Sequence, residues 1–268
     1  MGVRISQVDA FTERRFAGNP AAVCILSDPA EDRWMQDVAA EMNLSETAFA
    51  LRLGTSSKFS LRWFTPRSEV DLCGHATLAT AHILWEEEHL PAGVPALFET
   101  RSGLLTARRG SSGIELDFPA EPIGEEVTGL EELGELRSAL AAPVRFAGRN
   151  RFDLLAELES EDQVRGLCPD IRRLEQFPVR GVIVTSRSQS REYDFVSRFF
   201  APRVGVDEDP VCGSAHCCLG PYWAEKIGRS ALTARQVSCR GGVVKVRIEG
   251  PRVVLIGQAI TVLRGELV

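Results

Sequence analysis

Two stretches of this chain are near-copies of each other, and that repetition constrains the fold more than any other feature. Asp71 to Glu87 reads DLCGHATLATAHILWEE, and Glu208 to Lys226 reads EDPVCGSAHCCLGPYWAEK. Cys73-Gly74-His75-Ala76 lines up with Cys212-Gly213-Ser214-Ala215, 139 positions later, and each opens an apolar run at helical spacing. The segment ahead of each also repeats: Arg62 to Arg67 is RWFTPR and Arg198 to Arg203 is RFFAPR. Matched pieces of this size mark an internal duplication. Two half-molecules, each with a thiol at a helix start, imply a site between the halves.

A chain of 268 residues suits two domains of ordinary size. Pro119 to Gly124 is the natural boundary, giving halves at 1–118 and 119–257, with the last strand (about 258–268) a candidate to return to the first half. A formal charge of −6 leaves no basic footprint for nucleic acid. No window approaches eighteen uncharged apolar residues, and MGVRISQVDAF lacks a signal-peptide core, so no membrane partner is expected. Seven cysteines are an odd count without small-scaffold spacing, which predicts a reduced, cytoplasmic protein. Nothing in the chain speaks against a homodimer.

In chain order, alternation predicts strands over 3–8 and 21–26, separated by a loop carrying Gly18-Asn19-Pro20. Asp28 before Pro29 predicts a helix start, Met35, Val38, Ala39 and Met42 its apolar stripe, and Asn43 its end. Strands are predicted over 47–53 and 59–65, a helix from Gly74 to about Glu88, then strands near 97–100, 104–108 and 114–118. Thr128 with Glu131 and Ser160 with Gln163 form capping-box pairs, predicting a helix to about Leu140 and a short one through Val164. Strands over 182–185, 193–200, 243–248, 253–256 and 260–263 complete the chain.

A helix start offers free N–H groups and the positive end of the macrodipole, so Cys73 and Cys212 are expected to have lowered thiol pKa values, beside amides able to hold a carboxylate. The other five cysteines, Cys24, Cys168, Cys217, Cys218 and Cys239, read as small hydrophobes. Glu46 sits in a charge-poor stretch between Leu44 and Phe49, where burial would disfavour its ionised form and suit a general base. His75 reads as a proton carrier or a polar cap, Asp209 as a substrate or carrier-orienting group or a turn aspartate, and Ser214 as a carboxylate donor or a cap. His82 and His216 receive no functional assignment. There is no C-x-x-C or H-E-x-x-H metal pattern, no glycine-rich phosphate loop and no G-x-S-x-G elbow. What remains is a proton-transfer enzyme with no cofactor and no metal.

At these residues the chain resembles the phenazine-biosynthesis-type isomerase family, which shares the diaminopimelate epimerase fold. The segments DAFTERRFAGNPAAV, MNLSETAFA, RWFTPRSEVDLCGHATLA, DEDPVCGSAHC, SCRGGVVKV and IGQAITV carry the resemblance in order over nearly the whole length. It implies an α/β (α+β) fold of two pseudo-symmetric halves, each a curled mixed sheet around a central helix, with the site at the helix starts. It also implies that Glu46 of L-S-E-T moves a proton, that His75 and Asp209 assist, and that Asn19, Gly213 and Ser214 line the substrate site, to which Gly74 at the first helix start is added as a substrate-binding candidate. Phenazine-type members lack the cysteine pair of the related epimerases and proline racemases, whereas this chain has both Cys73 and Cys212. The leading expectation is a cofactor-independent isomerase acting on a small carboxylated substrate through Glu46. The rivals are a two-thiol racemase or epimerase using Cys73 and Cys212, and a non-enzymatic binding module on an inherited fold.

Overall fold

The computed structural model describes residues 2–268 and divides into two compact units. One comprises the chain up to Phe118 together with Val254–Val268; the other is Pro119–Val253. The first unit opens with β1 (Val3–Ala10), β2 (Asn19–Leu26), α1 (Asp32–Met42), β3 (Glu46–Arg52), β4 (Lys58–Phe64), the two-residue β5 (Glu69–Val70), α2 (Gly74–Glu86), β6 (Ala96–Thr100), β7 (Gly103–Gly110) and β8 (Gly113–Pro119). Neighbouring strands run antiparallel except at β2–β3 and β4–β6, which are parallel, so the sheet is mixed. Helix α2 is buried from His75 through Trp85 except at His82, as an all-round apolar helix must be. It touches β1, β2, β3 and β7, so the sheet curls around it. Removing a side chain such as Leu78, Ile83 or Leu84 from water is worth ~1.5–3 kcal/mol each.

The second unit contains β9 (Glu125–Glu126), α3 (Leu130–Leu140), β10 (Val144–Arg149), β11 (Asp153–Leu158), α4 (Glu161–Arg165), α5 (Ile171–Leu174), β12 (Gly181–Arg187), β13 (Phe195–Ala201), β14 (Val206–Asp209), α6 (Gly213–Ile227), β15 (Ala231–Gln236) and β16 (Gly242–Glu249). Pairing is again mixed, parallel at β11–β12 and β13–β15 and antiparallel elsewhere. The core around α6 includes Phe195, Phe199, Ala215, Leu219 and Trp223, with Phe195 stacked on Trp223. Strand β17 (Arg252–Gly257) spans the unit boundary, and β18 (Ala259–Leu267) returns antiparallel to β1, pairing Val3 with Leu267 and Ala10 with Ala259. Among the described residues no helix is long and apolar enough to cross a membrane.

The duplication is legible in the ladder itself. Strands β4 and β13 hold the same place, each antiparallel to the strand before it and to the short strand after it, and each parallel to a later strand. Arg62 forks onto Glu69 at 2.7 and 2.7 Å, and Arg198 onto Glu208 at 2.7 and 2.8 Å. Such bidentate pairs are directional as well as charge-assisted. Each glutamate stands four residues before the cysteine that caps a central helix, so the same clamp fixes the approach to both helix starts.

Helix α1 begins at Asp32 rather than at Asp28-Pro29: Glu31 is its N-cap, and the first helical hydrogen bond runs from Met35 N–H to Glu31. Asn43 ends it in the left-handed conformation (φ 48°), as predicted. Ser160 caps α4 through Gln163 N–H, but Gln163 reaches Glu159 instead of closing the box. Thr128 caps nothing: α3 starts at Leu130 after Gly129. Strands β10, β11 and β15 had no counterpart in the sequence reading; DLLAEL and ALTARQ are rich in helix-forming residues, and only their sheet neighbours decide the matter.

Candidate active site

In the first unit the parallel pairing of β2 with β3 places two strand starts side by side, with Ala21 opposite Glu46. Both strands pack on α2, so Asn19, Glu46 and the first turn of that helix converge. Gly18 sets the entry: its φ is +65°, and a Cβ there would lie 2.2 Å from the Ala10 carbonyl oxygen. Asn19 is fully buried. Ser45 Oγ donates to Asn19 Oδ1 at 3.1 Å, which leaves the Asn19 amide nitrogen to donate to His75 Nδ1 at 3.0 Å. A neutral His75 therefore carries its proton on Nε2, an assignment made from the hydrogen-bond pattern. His75 Nε2 lies 3.0 Å from Glu46 Oε2, and Cys73 Sγ lies 3.6 Å from Nδ1 and 3.9 Å from Nε2. Glu46 Oε2 is sealed from solvent, and its 3.0 Å approach to Nε2 pairs the carboxylate with the His75 ring.

The electrostatics correct one expectation. Burial pushes the Cys73 thiol up to about 11, the Glu46 charge adds to this, and the contributions of His75 and the Ala76 N–H do not overcome them. Cys212 is likewise held well above the ordinary thiol range by burial and by Asp209, against the pull of Arg180 and Ser214. A helix start therefore does not yield a thiolate at either place, because desolvation and a neighbouring carboxylate outweigh the helix dipole. Burial also works against a charged His75, but the Cys73 sulfur and the Glu46 carboxylate, each hydrogen-bonded to the ring, more than offset it and hold the imidazole above its ordinary value. Cys24, Cys217 and Cys218 are buried hydrophobes pushed up to about 12, and Cys168 and Cys239 are exposed. His82 sits outside the cluster, bonded to Thr261.

In the second unit Asp209 closes β14 opposite Phe199, and Cys212 is the N-cap of α6 in extended conformation. Gly213 begins the helix, and Ser214 Oγ lies 3.3 Å from Cys212 Sγ. The structure thus gathers Asn19, Glu46, Cys73, Gly74 and His75 in one unit and Asp209, Cys212, Gly213 and Ser214 in the other. Sequence reasoning missed Ser45, which orders the Asn19 amide, and Arg180. Ser45 could have been suspected from its place inside L-S-E-T; Arg180 carries no local signal. Arg180 holds the buried Asp153 through Nε (2.9 Å) and Nη2 (2.5 Å), lying over the Phe152 and Phe199 rings. Glu46, Cys73 and His75 also present donor atoms within 4.8 Å of one another, a set that a metal ion could use.

His216 yields a stability prediction. It is fully buried, its Nδ1–H donates to the Cys212 carbonyl at 2.7 Å, and burial depresses its pKa from 6.5 to about 4. Above pH 6.5 the ring is neutral both folded and unfolded, so it contributes no pH dependence. As pH falls toward 4 only the unfolded chain takes up the proton, and the fold loses ~3 kcal/mol. Denaturant titrations of wild type and His216→Gln between pH 7 and 4 should show the variant's stability falling less steeply, by one proton. Parallel curves would mean that His216 is protonated in the fold.

With this geometry in view, the relatives are informative. The model of the family described as "Phenazine biosynthesis-like protein" matches residues 8–265. A protein named as an uncharacterized isomerase in Halalkalibacterium halodurans is 55% identical, covering 100% of this chain and 99% of that protein. The crystal structure of a phenazine biosynthesis protein of the PhzF family from Enterococcus faecalis superposes with a TM-score of 0.94 at 40% identity, over 100% of both chains. A hydroxyproline epimerase from Agrobacterium vitis, at 12% identity, shares the fold with a TM-score of 0.61 over 99% of this chain and 92% of its own. The fold is thus shared with a hydroxyproline epimerase, while the family match and the identity over the full length agree: the chain belongs to the phenazine biosynthesis-like family.

Proposed function

We propose that the protein is a cofactor-independent isomerase that moves a proton between carbons of a small carboxylated substrate, with Glu46 as the principal acid/base and His75 and Asp209 in support. The observation that carries this reading is Glu46 Oε2, a carboxylate oxygen sealed from solvent and held 3.0 Å from an imidazole. A carboxylate kept from water and steadied by an imidazole can serve as general base toward a substrate C–H aimed at it. Glu46 takes the proton, the electron pair spreads into the substrate's conjugated system, and the same carboxylic acid returns the proton at another carbon. His75, beside Glu46, steadies whichever form carries the charge. The Halalkalibacterium halodurans relative, by its name an isomerase, fits this class of reaction.

Preference for a carboxylated substrate rests on the helix starts. Neither α2 nor α6 has an acidic residue in its first turn, so nothing within the first turn offsets the positive end of either dipole, which favours an anion. The two-thiol reading is weaker, because Cys73 and Cys212 are both pushed away from the thiolate form it requires. Incubation in heavy water with a panel of small carboxylated dienes and amino acids separates the readings. Deuterium entering the dienes is the expected result. Deuterium entering only the α-carbons of amino acids would replace this proposal with the racemase, and no exchange into any compound would leave the binding module.

A further inference from the structure

Gln236, the last residue of β15, is fully buried and touches both ends of the bend that carries Asp209 and Cys212. Its Nε2 donates to the Asp209 carbonyl at 2.6 Å, and its Oε1 accepts from the Cys212 N–H at 2.9 Å. The orientation of the amide is forced, because a carbonyl can only accept and a peptide N–H can only donate. Two residues later, Ser238 Oγ donates to the Pro210 carbonyl at 2.7 Å and accepts from Gly241 N–H. The bend from Asp209 to Cys212 is thus bound to one short segment at three backbone groups.

The duplicated half shows what the scaffold alone requires. There Ser102 Oγ donates to the Asp71 carbonyl at 2.7 Å, two residues before Cys73, just as Ser238 meets Pro210 two residues before Cys212. Thr100 stands where Gln236 would, closing β6, which runs parallel to β4 as β15 does to β13. Its Oγ1 donates to the Gly103 carbonyl and accepts from Ser102 N–H, both inside its own hairpin. The serine bond therefore belongs to the shared architecture, whereas the amide bridge occurs in the half that carries Asp209.

We infer that Gln236 is a positioning residue, which sets the spacing between the Asp209 backbone and the start of α6 and so aims Asp209, Gly213 and Ser214 at the substrate. This rests on the reading that those residues engage the substrate of the proposed isomerase. Misplacement of a binding group by about 1 Å can cost ~10²-fold in rate. Gln236→Glu keeps the acceptor for Cys212 N–H but sets a carboxylate oxygen against the Asp209 carbonyl, and protonation of that carboxylate restores the donor. Gln236→Met keeps the length and loses both bonds.

The test is kcat/KM for substrate isotope exchange across pH, with circular dichroism showing that each variant is folded at the assay temperature. Gln236→Glu should fall ~10–100-fold at high pH and recover with a one-proton profile as pH drops. Gln236→Met should fall by a similar factor with no recovery, and Thr100→Ala should stay within about threefold of wild type. The inference is overturned if folded Gln236→Glu follows the wild-type profile, if folded Gln236→Met turns over normally, or if neither variant folds, which would make the role structural. Failure of the isomerase reading looks different: wild type would then show no exchange into dienes, or Glu46→Gln would retain full activity whatever the Gln236 variants do.

Discussion

Glu46→Gln is expected to lose ~10²–10⁴-fold in turnover, roughly 3–5 kcal/mol of barrier, while remaining folded. The amide matches the carboxyl in size, and among the described residues the ionic contact of Glu46 is with His75, so the substitution removes the proton carrier and little else. Cys73→Ala and Cys212→Ala should cost only small packing losses, since both thiols are buried and held protonated. Were the thiols the bases, the pattern would reverse, and either cysteine change alone would nearly abolish turnover, because a two-base reaction needs both partners. Rates of the three variants on whichever compound exchanges deuterium decide between these outcomes.

The second large effect is on stability. Arg180→Met should destabilise the protein by about 2–4 kcal/mol in urea titrations at neutral pH. Breaking a buried pair typically costs more, about 3–5 kcal/mol, but the Arg180 side chain is 34% exposed and solvent screens part of the loss. The penalty falls on Asp153, 1% exposed, whose carboxylate would be left without its cation. Burial already holds the Asp153 carboxyl above its ordinary 3.8 despite Arg180. A raised folded value means that the protonated group favours the fold at low pH and that this contribution is lost as pH rises through that value. The variant's deficit should therefore shrink as pH falls toward 4. A deficit independent of pH would show that Asp153 is not the source. Adding Asp153→Asn should cost less than the sum of the two single changes, because the two residues share one interaction.

Much of this was visible in the residues, and the gaps have physical causes. The repeat of R-x-F-x-P-R followed by C-G marked two helix starts, and both α2 and α6 begin there with the strand order repeated around them. Glu46, His75 and Asn19 could be named because they stand in short distinctive runs, and the fold brings these three to hydrogen-bond spacing. The state of the thiols was misjudged, because helix position is local information while desolvation and the charges of Glu46 and Asp209 are set by the fold. Arg180 and Gln236 were invisible for a related reason. Arg180 acts through Asp153 and Gln236 through Asp209 and Cys212, each partner more than twenty residues away in sequence.

The claim that a single carboxylate takes a proton from one carbon and returns it to another is tested most directly by the fate of that hydrogen. A substrate deuterated at the donor carbon, converted in ordinary water, should give product that keeps a measurable fraction of deuterium at the acceptor carbon, since a shielded acid can return its proton before solvent exchanges it. That fraction should vanish together with turnover in Glu46→Gln and persist in Cys73→Ala and Cys212→Ala. Product whose new hydrogen comes wholly from solvent, with turnover lost in both cysteine variants and kept in Glu46→Gln, would contradict the account and assign the chemistry to the thiols.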